Sequence, residues 1–196
     1  MIVLGIDLGS SSVKVTLFNA EKGDSIANVS YPQEEMEIVS PKKDWAEQDP
    51  DVWMSNIKSA VDLLKVNHKN SLKEVSAIGI TYQMHGLVIV DNSGKPLRNA
   101  IIWCDSRAVS QGEIAFNELG EKYCLNNLLN SPGNFTASKL KWVKDFETEN
   151  YGKIWKFMLP GDYVAYKLTN ELKTTQSGLS EGILWDFQNN TVSSQL

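Results

Sequence analysis

The N-terminal segment up to Phe18 constrains the fold more than any other part of the sequence. An apolar stretch near residues 2–7 ends in Asp7 and leads into Gly9-Ser10-Ser11-Ser12, and a second alternating stretch follows near residues 13–19. Alternation with a period of two predicts strands, and the glycine and serines between them predict a tight turn. The segment therefore predicts a β-hairpin with hydroxyl groups at its tip.

The turn of this hairpin has the composition of an anion-binding loop. Three consecutive serines can direct backbone N–H groups and hydroxyls at one anion, as concave amide arrangements do for phosphate. Asp7 at the end of the first strand is placed to hold hydrated Mg²⁺, which takes one or two carboxylates together with phosphate oxygens and water. Glycine and serine also occur in hairpin turns for purely conformational reasons. The acid is therefore the feature that favours a phosphate site.

Two common nucleotide-binding motifs are absent from the sequence. It contains no G-x-x-x-x-G-K-[ST], and no G-x-G-x-x-G opens a helix, which argues against a P-loop and against a dinucleotide-binding Rossmann turn. The hairpin instead resembles the first phosphate loop of the actin-like ATPase superfamily. That resemblance implies an α/β fold, an actin-like ATPase (ribonuclease H-like) domain with a mixed sheet and flanking helices.

Four further segments resemble the FGGY carbohydrate kinases, and within them the xylulokinases. They cover residues 44–50, 78–86, 100–107 and 159–163. Their order and spacing are similar to those of the family's first domain from residue 1 to the end of the chain. The resemblance implies that residues 1–196 form most of an N-terminal FGGY kinase domain and that the C-terminal domain is absent.

The resemblance also implies roles for individual residues. Asp7 matches the metal-site aspartate of the family, and Lys14 stands where glycerol kinases carry an arginine. The positions that match ATP phosphate contacts are Gly9, Ser10, Ser11, Ser12 and Lys14. The positions implied to bind the substrate are Gln83, Met84, His85, Trp103, Asp105 and Arg107.

Local sequence alone favours different roles for some of these residues. His85 follows an apolar strand, where a histidine is commonly a hydrogen-bonded core residue. Asp105 reads locally as a helix N-cap, and Arg107 as a solvated charge in the first turn. Trp53 and Trp142 fall on helical apolar stripes, and most of the other tryptophans are expected in the core; a sugar contact is retained for Trp103 alone.

The activity implied by the resemblance is transfer of the ATP γ-phosphoryl group, with Mg²⁺, to a ketopentose, converting D-xylulose to D-xylulose 5-phosphate. Gluconokinase, ribulokinase and glycerol kinase remain alternatives, as does a non-catalytic fragment that binds sugar or phosphate. An actin-like assembly or sensor domain would not explain Gln83-Met84-His85-Gly86. In the family, the aspartate that accepts the hydroxyl proton lies beyond the match to Trp185-Asp186-Phe187. The catalytic base is therefore expected beyond Leu196, and no catalytic residue is assigned within the chain.

Composition agrees with a cytoplasmic enzyme that acts on small molecules. The chain has 196 residues, 42% of them hydrophobic, and a net charge of −5, which argues against nucleic acid or anionic membranes as partners. We expect no signal peptide and no metal cage, and we expect Cys104 and Cys124 to be reduced thiols. A homodimer is left open.

The pattern along the chain predicts a three-stranded meander near residues 2–7, 13–19 and 25–31. Asp49 and Pro50 then predict the start of a helix that ends at residues 67–70. Residues 75–80 and 87–90 read as buried strands. Asp162 reads as a helix cap, and three later helices are predicted over residues 107–119, 136–147 and 162–168.

Overall fold

Alternating apolar residues in the first two strands place one face of a β-sheet in the core. In the computed structural model, which describes residues 1–196, the side chains of Leu4, Ile6 and Leu8 are buried on this face. Val13, Val15 and Leu17 of the following strand are fully buried beside them. Burial on one face fixes the register of the hairpin, because a slip of one residue would expose the whole apolar set.

The chain forms ten strands and seven α-helices, with one short π-helical segment, Cys124–Leu128. The strands are β1 Ile2–Leu8, β2 Val13–Asn19, β3 Asp24–Tyr31, β4 Glu47–Gln48, β5 Val75–Tyr82, β6 Val88–Val90, β7 Ala100–Ile101, β8 Lys156–Met158, β9 Trp185–Asp186 and β10 Thr191–Val192. The helices are α1 Pro50–Lys73, α2 Val109–Leu119, α3 Glu121–Tyr123, α4 Thr136–Phe146, α5 Thr148–Lys153, α6 Pro160–Thr169 and α7 Gln176–Glu181.

The main sheet has the strand order β3-β2-β1-β5. Antiparallel pairing joins β1 to β2 and β2 to β3, so the predicted meander is confirmed. Strand β5 lies parallel to β1 after the crossover through α1, which makes the sheet mixed, as the resemblance implied. Asp7 and Lys14 are direct neighbours across the β1–β2 pair.

Helix α1 covers the apolar face of the sheet. The Asp49 carboxylate caps it by accepting from the backbone N–H of Asp51, and Pro50 occupies its first turn, as predicted. The side chains of Trp53 and Leu64 face the sheet and are buried. The predicted end at residues 67–70 coincides with a kink at the non-helical residue His68 (φ −125°, ψ 29°), beyond which a further helical segment runs to Lys73.

Strand β5 differs from the prediction in its exposure. Residues 75–80 were expected to be buried, whereas most residues of β5 are exposed and Ile78 is 49% exposed. The strand is at the edge of the sheet and has a hydrogen-bonded neighbour on one side only. Strand β6, in contrast, is fully buried and pairs with β8, far along the chain.

A second, smaller core lies beyond the main sheet. Leu87, Ile89 and Ile101 pack there against Trp142 and Val143 of α4. The helices predicted over residues 107–119, 136–147 and 162–168 are present as α2, α4 and α6, with ends that differ by one or two residues. The cap prediction for Asp162 is wrong, because α6 begins at Pro160 and Asp162 lies inside its first turn.

The cysteines behave as the sequence predicted. Cys104 is exposed and Cys124 is buried, and both are free thiols. No cluster of three or more metal-ligating side chains is present. None of the helices combines the length and the apolar character needed to cross a membrane.

Candidate active site

The predicted phosphate turn connects β1 and β2. The backbone N–H of Gly9 donates to the carbonyl of Ser12 at 3.0 Å and closes the turn. A side chain at Gly9 would place its Cβ only 3.0 Å from that same carbonyl oxygen, so the turn needs glycine for close approach rather than for an unusual φ. The carbonyl of Ser11 accepts from the N–H of Met36 at 2.7 Å. The turn is therefore fixed in shape before any ligand binds.

Asp7 and Lys14 stand beside this turn on the face of the sheet opposite α1. The Asp7 Oδ2 and Lys14 Nζ atoms are 3.7 Å apart, and both side chains are about half exposed. A shallow cavity of about 450 Å³ opens next to them and is also lined by Thr81. Gly5 and Gly79 face each other across β1 and β5 and leave that part of the sheet uncovered.

This arrangement fits Mg²⁺ bound together with a nucleotide. Mg²⁺ keeps several waters and uses one or two protein carboxylates plus phosphate oxygens. Asp7 supplies one accessible carboxylate, and the phosphates of a nucleotide at the serine turn would supply the remaining oxygens. The single acid agrees with an ion held through phosphate rather than in a protein cage.

Gln48 joins the turn to the predicted sugar-binding residues. Its Nε2 donates to the carbonyl of Ser10 at 2.7 Å, and its Oε1 accepts from Gln83 Nε2 at 2.9 Å. The same Oε1 accepts from the indole N–H of Trp53 at 3.1 Å. Gln83 is itself buried, and its backbone N–H donates to the carbonyl of Leu8 at 2.7 Å. One amide therefore fixes the distance between the turn and the start of the Gln83-Met84-His85 segment.

Met84 and His85 form a corner at the end of β5. His85 has φ 61°, a left-handed conformation that is uncommon for residues other than glycine and marks local strain. Gly86 follows directly, and a Cβ there would lie 2.5 Å from Pro160 Cγ, so the corner packs closely on the start of α6. Met84 is 54% exposed. The His85 ring packs edge-on against the Phe135 ring, with the two ring centroids 4.3 Å apart. The corner thus presents an exposed thioether next to a partly exposed imidazole.

Two charged side chains, the buried Lys139 and the partly buried Glu181, hold the His85 backbone. Lys139 Nζ of α4 donates to the His85 carbonyl at 2.7 Å, and the His85 N–H donates to Glu181 Oε1 at 2.6 Å. Burial lowers the pKa of Lys139 to about 8 and raises the pKa of Glu181. Burial, together with the Lys139 charge, lowers the pKa of His85, so the imidazole is neutral at physiological pH.

Asp105 and Arg107 lie in a buried ion-pair cluster. The Asp105 carboxylate is fully buried and accepts from the N–H of Ala46 at 2.6 Å and from the Arg107 guanidinium at 2.7–3.0 Å. Arg107 also donates to Glu47 Oε1 at 2.7 Å and stacks over the Trp45 ring at 3.7 Å. The roles predicted from the local sequence for these two residues were wrong. Asp105 is not a helix N-cap, because Ala108 occupies that position before α2. Arg107 is buried and not solvated.

Other residues extend this cluster. Arg98 donates to Glu47 and to Glu147, and Asn134 donates to the Asp105 carbonyl. The Arg107 Nη1 atom is buried and has no partner within the chain. Trp103, two residues before Asp105, is 50% exposed. Trp103 therefore lies at the surface, and the contacts of Asp105 and Arg107 hold the loop that contains it in place. Sugar contact by these three residues stays a prediction.

Three residues important for this geometry had no role assigned from the sequence. Gln48 lies inside the recognised segment 44–50, Lys139 lies in the predicted helix over residues 136–147, and Glu181 lies 96 residues from its partner His85. Lys139 could have been found, because it shares the inward face of α4 with Trp142 and Val143, and a cation on such a stripe is unusual. No local pattern identifies Glu181.

Together, the mixed sheet, the acid at the end of β1 and the serine turn define a domain of the actin-like ATPase fold class. The chain belongs to the FGGY family of carbohydrate kinases, because the model of that family's N-terminal domain matches residues 2–196.

Individual relatives agree with this assignment. A xylulose kinase of Staphylococcus xylosus is 35% identical over 199 residues, which cover 99% of this chain and 39% of the relative. A xylulose kinase of Escherichia coli K12 is 36% identical over 182 residues, which cover 93% of this chain and 36% of the relative. The crystal structure of xylulose kinase from Rhodospirillum rubrum superposes with a TM-score of 0.91 at 26% identity, covering 100% of this chain and 40% of that one. The chain thus spans about two fifths of the length of the relatives it matches.

Proposed function

We propose that this chain carries the phosphate-binding and sugar-binding parts of an ATP-dependent ketopentose kinase that converts D-xylulose to D-xylulose 5-phosphate. The observation that carries the proposal is the contact pattern of the Gln48 amide. It joins the serine turn, at Ser10, to Gln83, which precedes the corner formed by Met84 and His85 (called here the sugar corner). Phosphoryl transfer depends on holding the phosphate and the accepting hydroxyl in a fixed relation. Similarity to xylulose kinases supports D-xylulose as the acceptor.

The residues of the chain take distinct parts in this reaction. Backbone N–H groups and hydroxyls of the serine turn bind the ATP phosphates, and Lys14 adds a point charge beside them. Asp7 would hold Mg²⁺, which would neutralise charge on the phosphates when bound. Met84 and His85 orient the sugar, and the exposed Trp103 is a further candidate for sugar contact.

In the transfer step, a primary hydroxyl of the ketose attacks the γ-phosphorus. The bond to the oxygen that bridges the β- and γ-phosphates breaks, and ADP leaves. The hydroxyl proton passes to a general base. Residues 2–196 match the N-terminal domain of the family, and we propose that the base lies outside them, where the family resemblance implies it. A cytoplasmic setting belongs to the proposal, and a homodimer stays a prediction.

Kinetics of a chain of the relatives' full length, called here the extended chain, test this function. ADP release is measured with D-xylulose, D-ribulose, gluconate and glycerol as acceptors. The highest kcat/KM is expected for D-xylulose. A higher value for another acceptor would assign the chain to that kinase activity instead. ADP release that no sugar stimulates would leave only a non-catalytic sugar-binding or phosphate-binding role.

The His85→Ala change is expected to weaken ketopentose use in the extended chain by about 1–3 kcal/mol in kcat/KM, because a partly buried hydroxyl partner is lost. His68→Ala on α1 is the control and should leave kcat/KM unchanged. Steady-state kinetics with D-xylulose measure both variants. An unchanged kcat/KM for His85→Ala, in a variant that folds normally, would make His85 a structural residue and not a ligand of the sugar.

A further inference from the structure

The sugar corner is held by groups that the reaction itself does not use. Glu181 is the last residue of α7, a helix of six residues. A carboxylate at the C-terminal end of a helix is electrostatically unfavourable, so its position is not explained by helix stability. Its Oε1 accepts from the His85 N–H at 2.6 Å, and this bond spans 96 residues of sequence. Glu181 is therefore placed by the fold at the corner.

The same carboxylate oxygen lies near the His85 ring. The distance from Glu181 Oε1 to His85 Nδ1 is 4.0 Å, and Nδ1 is buried with no hydrogen-bond partner. The His85 side chain is 27% exposed, so the accessible side of the ring is the one that carries Nε2. Phe135 packs edge-on against the ring and limits its rotation. The two ring nitrogens thus meet different surroundings, with the partly buried Glu181 carboxylate on the Nδ1 side and the open corner on the Nε2 side.

The charges around the corner favour a neutral imidazole ring at His85. The Lys139 ammonium, which donates to the His85 carbonyl, disfavours a second positive charge on the ring. Burial raises the pKa of Glu181, while the His85 N–H, the Tyr82 hydroxyl and the Lys139 charge act in the opposite direction and favour its carboxylate form. A neutral imidazole has one N–H and one lone pair, and the partner of one nitrogen decides the state of the other.

We propose that Glu181 is a positioning residue that holds the His85 proton on Nδ1, so that Nε2 faces the ligand as a hydrogen-bond acceptor. A proton on Nδ1 is favoured by the carboxylate beside it, whereas a lone pair there would face a negative charge in a buried place. Glu181 Oε1 and His85 Nδ1 are 4.0 Å apart, so a small movement of the two side chains would bring these atoms within hydrogen-bond distance.

This tautomer selects the ligand group that can occupy the corner. A lone pair on Nε2 accepts from a hydroxyl of a polyol or sugar, and it repels groups that can only accept, such as a ketone oxygen or a carboxylate. Since this step rests on the proposed function, it adds that His85 contacts a hydroxyl of the ketose and not its carbonyl. It also disfavours an aldonate whose carboxylate would point at His85.

Nitrogen NMR of the chain labelled with ¹⁵N-histidine tests the assignment without any activity. The sequence has two histidines, so His68→Gln leaves the His85 signals alone in the spectrum. At neutral pH, above the lowered pKa of the ring, we expect a protonated Nδ1 and an unprotonated Nε2. Glu181→Gln keeps an acceptor for the His85 N–H but removes the charge, and we expect it to move the proton toward Nε2. Glu149→Gln on α5 is the matched control and should change nothing.

The outcomes separate this inference from the proposed function. A wild-type ring protonated on Nε2 would overturn it, and so would an unchanged tautomer in a folded Glu181→Gln variant. The wild-type spectrum decides the tautomer even where the variant fails to fold. Added D-xylulose is expected to shift the Nε2 signal. No shift from D-xylulose, with Nδ1 protonated as expected, would count against the sugar contact while leaving the tautomer assignment in place.

Discussion

Replacing Asp105 with alanine is expected to lower the free energy of unfolding by about 3–5 kcal/mol, the usual cost of removing one partner from a buried ion pair. The Arg107 guanidinium would lose most of its hydrogen bonds at a site where the arginine side chain is only 1% exposed. The N–H of Ala46 would also lose its acceptor. Chemical denaturation of the purified chain, followed by tryptophan fluorescence, measures the change.

Asp145→Ala provides the matched control for this experiment. Asp145 forms an ion pair with Lys141 on the exposed side of α4. Exposed pairs contribute about 0–1 kcal/mol, so the control should lie close to the wild type. A loss as small as that of the control for Asp105→Ala would show that the cluster around Arg107 does not stabilise the fold. Asp105 would then return to the role that the family resemblance implied, a contact with the substrate.

The Asp7→Asn change is expected to lower kcat of the extended chain by at least about two orders of magnitude, or roughly 2.7 kcal/mol of transition-state stabilisation. The amide would be a poor ligand for Mg²⁺, and the change would remove the carboxylate that lies opposite Lys14. Folding should change little, because Asp7 and its partner Lys14 are about half exposed. Steady-state kinetics over a range of Mg²⁺ concentrations measure the effect.

Asp62→Asn is the comparison for this variant, because Asp62 forms a similar exposed pair with Lys58 on α1, on the other side of the sheet. It should retain wild-type kcat. Near-normal turnover by Asp7→Asn at limiting Mg²⁺ would rule out a metal role for Asp7 and leave the serine turn as a phosphate site only.

Features set by neighbours in sequence could be predicted. The hairpin follows from alternation and a glycine-serine turn, and the start of α1 follows from Asp49 and Pro50. The predicted helix end coincides with the kink at His68, which interrupts the geometry for one residue only before the helix resumes. Local composition does not reveal whether a helix resumes after such an interruption.

Features set by distant parts of the chain could not be predicted. The apolar sequence of β5 is the same whether a neighbouring element covers it or leaves it exposed at the edge of the sheet. Arg107 looked solvated because its partner Glu47 lies 60 residues earlier. The family resemblance pointed to His85, but it gave no information on Glu181, whose contact with His85 depends on tertiary structure alone.

The hydrogen bonds of the Gln48 side chain require both a donor group and an acceptor group at this position. Its Nε2 donates to the carbonyls of Ser10 and Glu37, and its Oε1 accepts from Trp53 and Gln83. Glutamate would accept but not donate when ionised, lysine would donate but not accept, and asparagine is one methylene too short to span the same four atoms. An amide of this length is therefore the only natural side chain that satisfies the position, and a different residue here in a similar chain would signal a rebuilt turn.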